Sequence, residues 1–318
     1  MQGVNNIVEE HAIMEAAQAT HPVLTRTQIS SGTQPELRSL WSAIAGGDIH
    51  LHFIDAKGVR TRVLEAGQGP VLLLLHGVSG HLEAYQRNIL AHAVHFRVLA
   101  VDMLGHGFTD KPARSYEIID YVEHLRDLID ALGVEKVHMS GESLGGWVAA
   151  RFAATYPERI DRLVLNTAGG MIADPKVMER LKTLSLAAVR SPDREATRKR
   201  LEFLMLDPTI VTEDLVEARF ACFRQPGMIE TMERIMCLQD MDVRMRNLLT
   251  QEELGRITAP TLVLWTTHDP TASVEVGQRL ADLVKDSRFT VMENCGHWPQ
   301  YEDPDTFNRI HIDFLLNR

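Results

Sequence analysis

The sequence predicts an α/β protein, a mostly parallel, doubly wound sheet into which a block of helices is inserted. Three observations carry that expectation. Short runs that are apolar at nearly every position recur at 71–75, 96–101 and 261–266; they are too short for typical helices and read as strands covered on both faces. Between them lie stretches of helical spacing, such as 116–133, closed by Leu132-Gly133, and the stretch that ends at Tyr156-Pro157. From 170 to 260 the strand signals vanish, and charged, Met-rich helical segments take over at 177–188, 194–206, 212–224 and 228–249.

In chain order, residues 1–46 read as an extension with helical stretches at 7–19 and 35–44, broken by Pro22 and by Ser30-Ser31-Gly32. It can pack on the core or cap a neighbouring subunit, which leaves a homo-oligomer open. Alternation from Ile49 to Glu65 around a turn at Lys57-Gly58 predicts an antiparallel hairpin. Strand and helix then alternate to a strand at 160–166. The sheet resumes at Thr261 and ends with a helix at 273–284, a strand at 288–292 and a helix at 304–316. The expected organisation is an extension (1–46), a discontinuous core (47–170 and 259–318) and a helical lid (171–258).

At 318 residues the chain is long enough for one large core with an insertion. Its formal charge of −10 argues against a nucleic-acid or anionic-membrane partner, either of which needs a basic face. A small-molecule substrate is the better expectation. Cys222, Cys237 and Cys295 are odd in number and lack paired spacing, so neither disulfides nor a zinc knuckle is suggested. The N-terminal stretch is acidic where a secretory signal is basic, and no apolar run reaches bilayer length, so a cytoplasmic protein is expected.

The stretch that organises the chain is 137–147, where an apolar run meets Gly141-Glu142-Ser143-Leu144-Gly145 and opens into a helix. A strand that reverses straight into a helix crowds its own backbone, so glycines flank the turn and the serine between them is pushed outward. Set at a helix N-terminus, its oxygen lies where developing negative charge is favoured. This is the nucleophile elbow of a serine hydrolase.

A serine hydroxyl needs a base, and the base needs a partner that fixes its tautomer. On this topology the acid follows a late strand and the histidine follows the last one. Asp269 and His297 stand at those places, so Ser143, Asp269 and His297 form the expected catalytic triad. Asp102 lies on the wrong side of the elbow strand, and Asp161 opens a strand rather than closing one. The oxyanion donors expected are the backbone N–H groups of Leu144 and of Val78, in the loop His76-Gly77-Val78-Ser79-Gly80. No metal-ligand set and no phosphate-binding glycine loop is visible, and no cofactor is implied.

With these residues the chain resembles the α/β-hydrolase superfamily over about 49–318, through HGVSG, DMLGHGFTD, SGESLGG, LWTTHDP and CGHWPQYEDPDTF. Within it the similarity is greatest to hydrolases that cleave a carbon–carbon bond in meta-ring-fission products of aromatic compounds. That resemblance implies a vinylogous 1,5-diketone substrate of the 2-hydroxy-6-oxo-dienoate type. It also implies substrate contacts from Trp298, directly after His297, and from Arg219, whose segment 206–219 is similar to that family's lid helix. Ser79 and Glu142 complete the expected substrate-facing set. Glu142 stands where the family has Asn, and Val78-Ser79-Gly80-His81 where it has Gly-Pro-Gly. A carboxylate beside a bound dienolate repels it unless the side chain turns away or is protonated. A carboxylesterase for aryl or alkyl esters needs the same triad and is the alternative. A ligand-sensing receptor that barely turns over is a third class.

Overall fold

The computed structural model describes residues 39–318 and the backbone of Val23–Leu24; the helical stretch expected at 7–19 lies outside the described residues, as does the start of that at 35–44. Of the latter, a single 3₁₀ turn, Ser42–Ile44, is described. The strands are β1 (Val23–Leu24), β2 (Ile49–Ala56), β3 (Val59–Ala66), β4 (Val71–Leu75), β5 (Arg97–Val101), β6 (Val137–Glu142), β7 (Ile160–Asn166), β8 (Thr261–Thr266) and β9 (Ser287–Met292). They form one sheet in the order β1-β9-β8-β7-β6-β4-β5-β3-β2. The hairpin β2–β3 and the β3–β5 pair are antiparallel, and the other pairs are parallel. β1 extends the sheet in parallel with β9, inside the stretch read as an extension. Two residues are too few to show a period, which is why the sequence gives no sign of it.

The apolar runs are continuous because both faces are covered. Leu73, Leu75, Leu99, Val101, Met139, Leu165, Val263 and Trp265 share one core, whereas Leu72, Leu74, Val98, Ala100, Val164, Leu262 and Leu264 share the other. This is the two-residue period of a strand with apolar partners above and below. The covering helices of the sheet are α1 (Ile89–Ala93), α2 (Ile118–Ala131), α3 (Leu144–Thr155), α10 (Val274–Leu283), α11 (Pro299–Glu302) and α12 (Pro304–Leu315).

Between β7 and β8 the chain leaves the sheet for α4 (Pro175–Arg190), α5 (Glu195–Glu202), α6 (Glu213–Phe223), α7 (Met228–Ile235), α8 (Met241–Asn247) and α9 (Gln251–Gly255). The segment read as one helical stretch at 228–249 is broken. After a 3₁₀ turn at Met236–Gln239, Asp240 adopts an extended conformation (φ −89°, ψ 130°) and α8 starts in a new direction. Asp is a preferred residue at a helix start; here the apolar spacing on either side masked it. No helix among the described residues is long and apolar enough to cross a membrane.

β4 is flanked by β5 on one side and β6 on the other, so the chain changes direction between β4 and β6. The loops after these two strands therefore part at their carboxyl ends, where open α/β sheets bind ligands. Close approach there depends on glycine. A β-carbon on Gly145 would collide with the backbone oxygen of Leu75, whereas one on Gly255, at the end of α9, would meet nothing. Gly145→Ala is therefore expected to destabilise by about 3 kcal/mol or more, as steric conflicts with fixed backbone do. Gly255→Ala should stabilise by up to about 1 kcal/mol through the unfolded chain. Urea midpoints of the two variants check both signs.

Candidate active site

Only Ser143 separates β6 from α3, and the turn is held tightly. Its N–H donates to Asn166 O at 3.0 Å, and its carbonyl accepts from Trp147 N at 3.0 Å and Gly169 N at 2.9 Å. The residue sits at φ 54°, ψ −113°, a strained conformation that the surrounding bonds impose. Ser143 lines a small cavity of about 50 Å³ together with Leu144 and Val78. None of the loop and turn bonds gives the Val78 or Leu144 N–H a backbone acceptor among the described residues.

Asp269 follows β8 and His297 follows β9, and the structure brings them together: His297 Nδ1 lies 2.9 Å from Asp269 Oδ1. Thr271 supports the pair, donating to Asp269 Oδ1 from its backbone N at 2.8 Å and from Oγ1 at 2.7 Å. The histidine loop is pinned from three sides, by Thr266 Oγ1 donating to Gly296 O at 2.6 Å, His268 N to Cys295 O at 3.1 Å and His297 N to Leu204 O at 2.7 Å.

The other imidazole nitrogen faces Glu142. His297 Nε2 lies 3.2 Å from Glu142 Oε1, and neither carboxyl oxygen of Glu142 has an aligned hydrogen bond. Among the described residues no hydrogen bond joins Ser143 Oγ to the imidazole. Burial alone would lower the pKa of His297, but the carboxylates of Asp269 and then Glu142 outweigh it and the net shift is upward. Glu142 is completely buried, and burial pushes its pKa up to about 7 against the pull of His297, the Gly77 backbone and Arg200. Its carboxyl sits over Gly77, where a β-carbon would strike it.

Two wholly buried arginines from the helical block grip the loop after β4. Arg219, on α6, donates from Nη1 to Ser79 O at 2.7 Å and places its guanidinium 5.5 Å from the Trp298 ring centroid. Arg200, on α5, donates from Nη2 to Val78 O at 3.3 Å and from Nε to Ser185 Oγ at 3.1 Å. Arg219 Nε and Nη2 and Arg200 Nη1 are buried without partners. Burial pulls Arg219 down to about 10 and, with Arg219 beside it, Arg200 down to about 9. Of the residues expected to face substrate, Ser79, Glu142, Arg219 and Trp298 do not line the cavity that contains Ser143. Ser79 belongs to the loop after β4, Arg219 joins its carbonyl to the Trp298 ring, and Glu142 lies against Gly77 and His297.

The sequence profile of the alpha/beta hydrolase fold family matches residues 70–304. The chain belongs to the α/β-hydrolase fold family. Among the relatives of this α/β-hydrolase, a 2-hydroxy-6-oxo-6-phenylhexa-2,4-dienoate hydrolase of Burkholderia cepacia is 32% identical over 276 residues, 83% of this chain and 95% of that protein. A 2-hydroxy-6-oxononadienedioate/2-hydroxy-6-oxononatrienedioate hydrolase of Comamonas testosteroni is 30% identical, again over 83% of this chain and 95% of the relative. Among solved structures, a meta-cleavage product hydrolase of Pseudomonas fluorescens IP01 is similar at a TM-score of 0.73 and 30% identity, covering 83% of this chain and 97% of that one.

In this α/β-hydrolase Asp102 is built into the support of the loop after β4. Its carboxylate accepts from Leu82 N at 2.7 Å, Phe108 N at 2.9 Å and Arg62 Nη1 at 3.1 Å, and Arg62 bonds Glu83 Oε1 at 2.7 Å. It has no contact with His297 among these bonds. Sequence reasoning missed Thr271, Arg200, Gln239 and Arg244, the last two of which line the cavity. Thr271, two residues past Asp269, was discoverable as a side chain that bonds a neighbouring Asp. Arg200 and Arg244 lie among many charged residues, and only tertiary burial sets them apart.

The pH dependence of stability follows from Glu142. Its folded-state pKa is raised from 4.5 to about 7, so the stability linked to its neutral form is present below about 4.5 and is lost as pH rises through about 7. Glu142→Gln abolishes that loss and weakens the upward shift of His297, which acts in the same direction. The variant is expected to gain up to about 3 kcal/mol on the wild type between pH 5 and 8, read from denaturant midpoints at both pH values.

Proposed function

We propose that this α/β-hydrolase cleaves the carbon–carbon bond of 2-hydroxy-6-oxo-dienoates, vinylogous 1,5-diketones produced by meta-fission of aromatic rings, with Ser143, His297 and Asp269 as its triad. The observation that carries the reading is the buried Arg219, held on Ser79 O with two nitrogens unpartnered, in a chain about 30% identical to such hydrolases over nearly their whole length. A desolvated guanidinium with free donors suits a carboxylate.

In this reading the dienol first takes its keto form, with a proton delivered to the carbon next to the 6-carbonyl. His297, oriented by Asp269, accepts the Ser143 proton as the oxygen attacks that carbonyl, and the Val78 and Leu144 N–H groups receive the developing oxyanion. The bond between the carbonyl carbon and the dienoate fragment breaks, its electron pair staying with the fragment as a dienolate. Water then releases the acyl group as a carboxylic acid. Glu142 must leave Nε2 or be neutral for His297 to act as base, and its pKa near 7 makes the neutral form available. The Asp269–His297 geometry supports the acid assignment.

Purified enzyme assayed on a yellow meta-cleavage product and on a p-nitrophenyl ester should favour the first. Ser143→Ala is expected to lose about 10⁴-fold or more in kcat with an unchanged melting curve, and a loss below tenfold would remove Ser143 as nucleophile. Arg219→Ala should lower kcat/KM about ten- to a hundredfold on the dienoate and hardly on the neutral ester. Equal, small effects with the ester preferred throughout would favour an esterase.

A further inference from the structure

The cavity beside Ser143 is apolar over most of its wall, through Val78, Leu144, Trp147, Met171, Val177 and Leu181, yet Arg244 and Gln239 also line it. Arg244, on α8, is held by two backbone carbonyls, donating from Nε to Ile172 O at 2.9 Å and from Nη1 to Leu238 O at 3.4 Å. Its guanidinium lies 5.0 Å from the centroid of Trp147, whose ring is itself fixed by Nε1 donating to Asn247 O at 3.0 Å.

The charge of Arg244 is unanswered. No carboxylate among the described residues forms an ion pair with it, whereas the buried Arg62 has both Asp102 and Glu83. Burial is the sole influence resolved on its pKa, which falls to about 10 and leaves the group cationic at neutral pH. A neutral amide could satisfy the same two carbonyls, so the tether does not explain a cation here. A desolvated cation at the wall of an apolar pocket is matched by an anionic ligand group.

We propose that Arg244 receives a carboxylate at the far end of the substrate's acyl side chain. The enzyme then selects 6-oxo-dienoates whose acyl group ends in an anion over those that end in a bare ring. This rests on the proposed carbon–carbon hydrolysis: the dienoate head lies across the Val78-Ser79 loop towards Arg219, and the acyl group enters the cavity at Ser143. The acid released from such a substrate is a dicarboxylic acid, which an upstream ring-fission step on an aromatic carrying a carboxyalkyl chain must supply in masked form.

The test compares kcat/KM on two 2-hydroxy-6-oxo-dienoates, one with a –CH2CH2COO⁻ acyl chain and one with a phenyl group, for wild type, Arg244→Gln and Arg244→Lys. Wild type should prefer the carboxylate-ended compound by at least about tenfold. Arg244→Gln, which keeps a donor for the carbonyl tether, should raise KM for that compound about ten- to a hundredfold while the phenyl compound changes by less than about threefold. Arg244→Lys should recover part of the loss. Succinate inhibition should weaken in Arg244→Gln in parallel, with benzoate inhibition unmoved, which a purely structural role would not produce. A wild-type preference for the phenyl compound, or equal damage to both substrates in Arg244→Gln, overturns this inference and leaves the carbon–carbon reading standing. Turnover of neither dienoate alongside rapid ester hydrolysis overturns both.

Discussion

The site depends on how closely the turn between β6 and α3 approaches β4. The two strands are hydrogen-bonded neighbours, with Leu75 opposite Gly141, and the first turn of α3 passes directly over the Leu75 carbonyl. No side chain fits at Gly141 or Gly145, and the residue between them is forced to positive φ. Because the same contact brings the loop after β4 alongside, Val78 and Leu144 come to line one cavity with Ser143. Backbone sterics thus set the relative placement of Ser143 and the proposed oxyanion donors before any polar contact forms.

The second constraint is the arrangement of charge around that loop. Asp102, Glu142 and Asp269 are carboxylates taken out of water near the ends of the central strands, and each is treated differently. Asp102 has three donors, including Arg62, yet burial and then Glu83 still raise its pKa to about 6. Asp269 accepts from Thr271 and faces the histidine. Glu142 has the imidazole edge, the Gly77 backbone and the field of Arg200, and against burial these still leave its carboxyl near neutrality. In water-poor surroundings an unsatisfied carboxylate takes up a proton more readily than it stays charged. The family position usually held by a neutral Asn is thereby occupied by a side chain that can itself be neutral.

Most of the architecture was legible because it rests on patterns with a short period. Unbroken apolar runs marked the central strands, and the elbow was marked by Gly141, Ser143 and Gly145 between a strand and a helix. The pairing of Asp269 with His297 followed from strand order, since the loops after the neighbouring strands β8 and β9 bring these two side chains together beside Glu142. What escaped was tertiary. The two-residue strand β1 has no period to read, and the break at Asp240 was hidden by helical spacing on both sides. Arg200 and Arg244 look alike in sequence, each an arginine in a helical segment with other charges nearby, and Arg219 stood out only through the resemblance of its segment to a lid helix. Only the fold shows that all three are tethered to backbone carbonyls near the elbow while many other arginines pair with surface carboxylates.

That distinction bears on what the helical insertion does. A lid made only to exclude water needs apolar side chains, and α4 to α8 supply them through Met178, Leu181, Val216, Met232 and Leu238. The same helices also deliver three cations to buried or half-buried positions, two across the Val78-Ser79 loop and one at the cavity wall. Their placement divides the region beneath the insertion into an electropositive side and a largely apolar side with a single cation. Water exclusion strengthens each charge, because the interaction of a guanidinium with a bound carboxylate grows as the local dielectric falls. A substrate anionic at its dienoate end, and reactive at a carbonyl further along, would lie across this division with its scissile bond at Ser143. The sheet holds Ser143, the proposed nucleophile, in a fixed place, and in the proposed reading the insertion selects the molecule stretched over it.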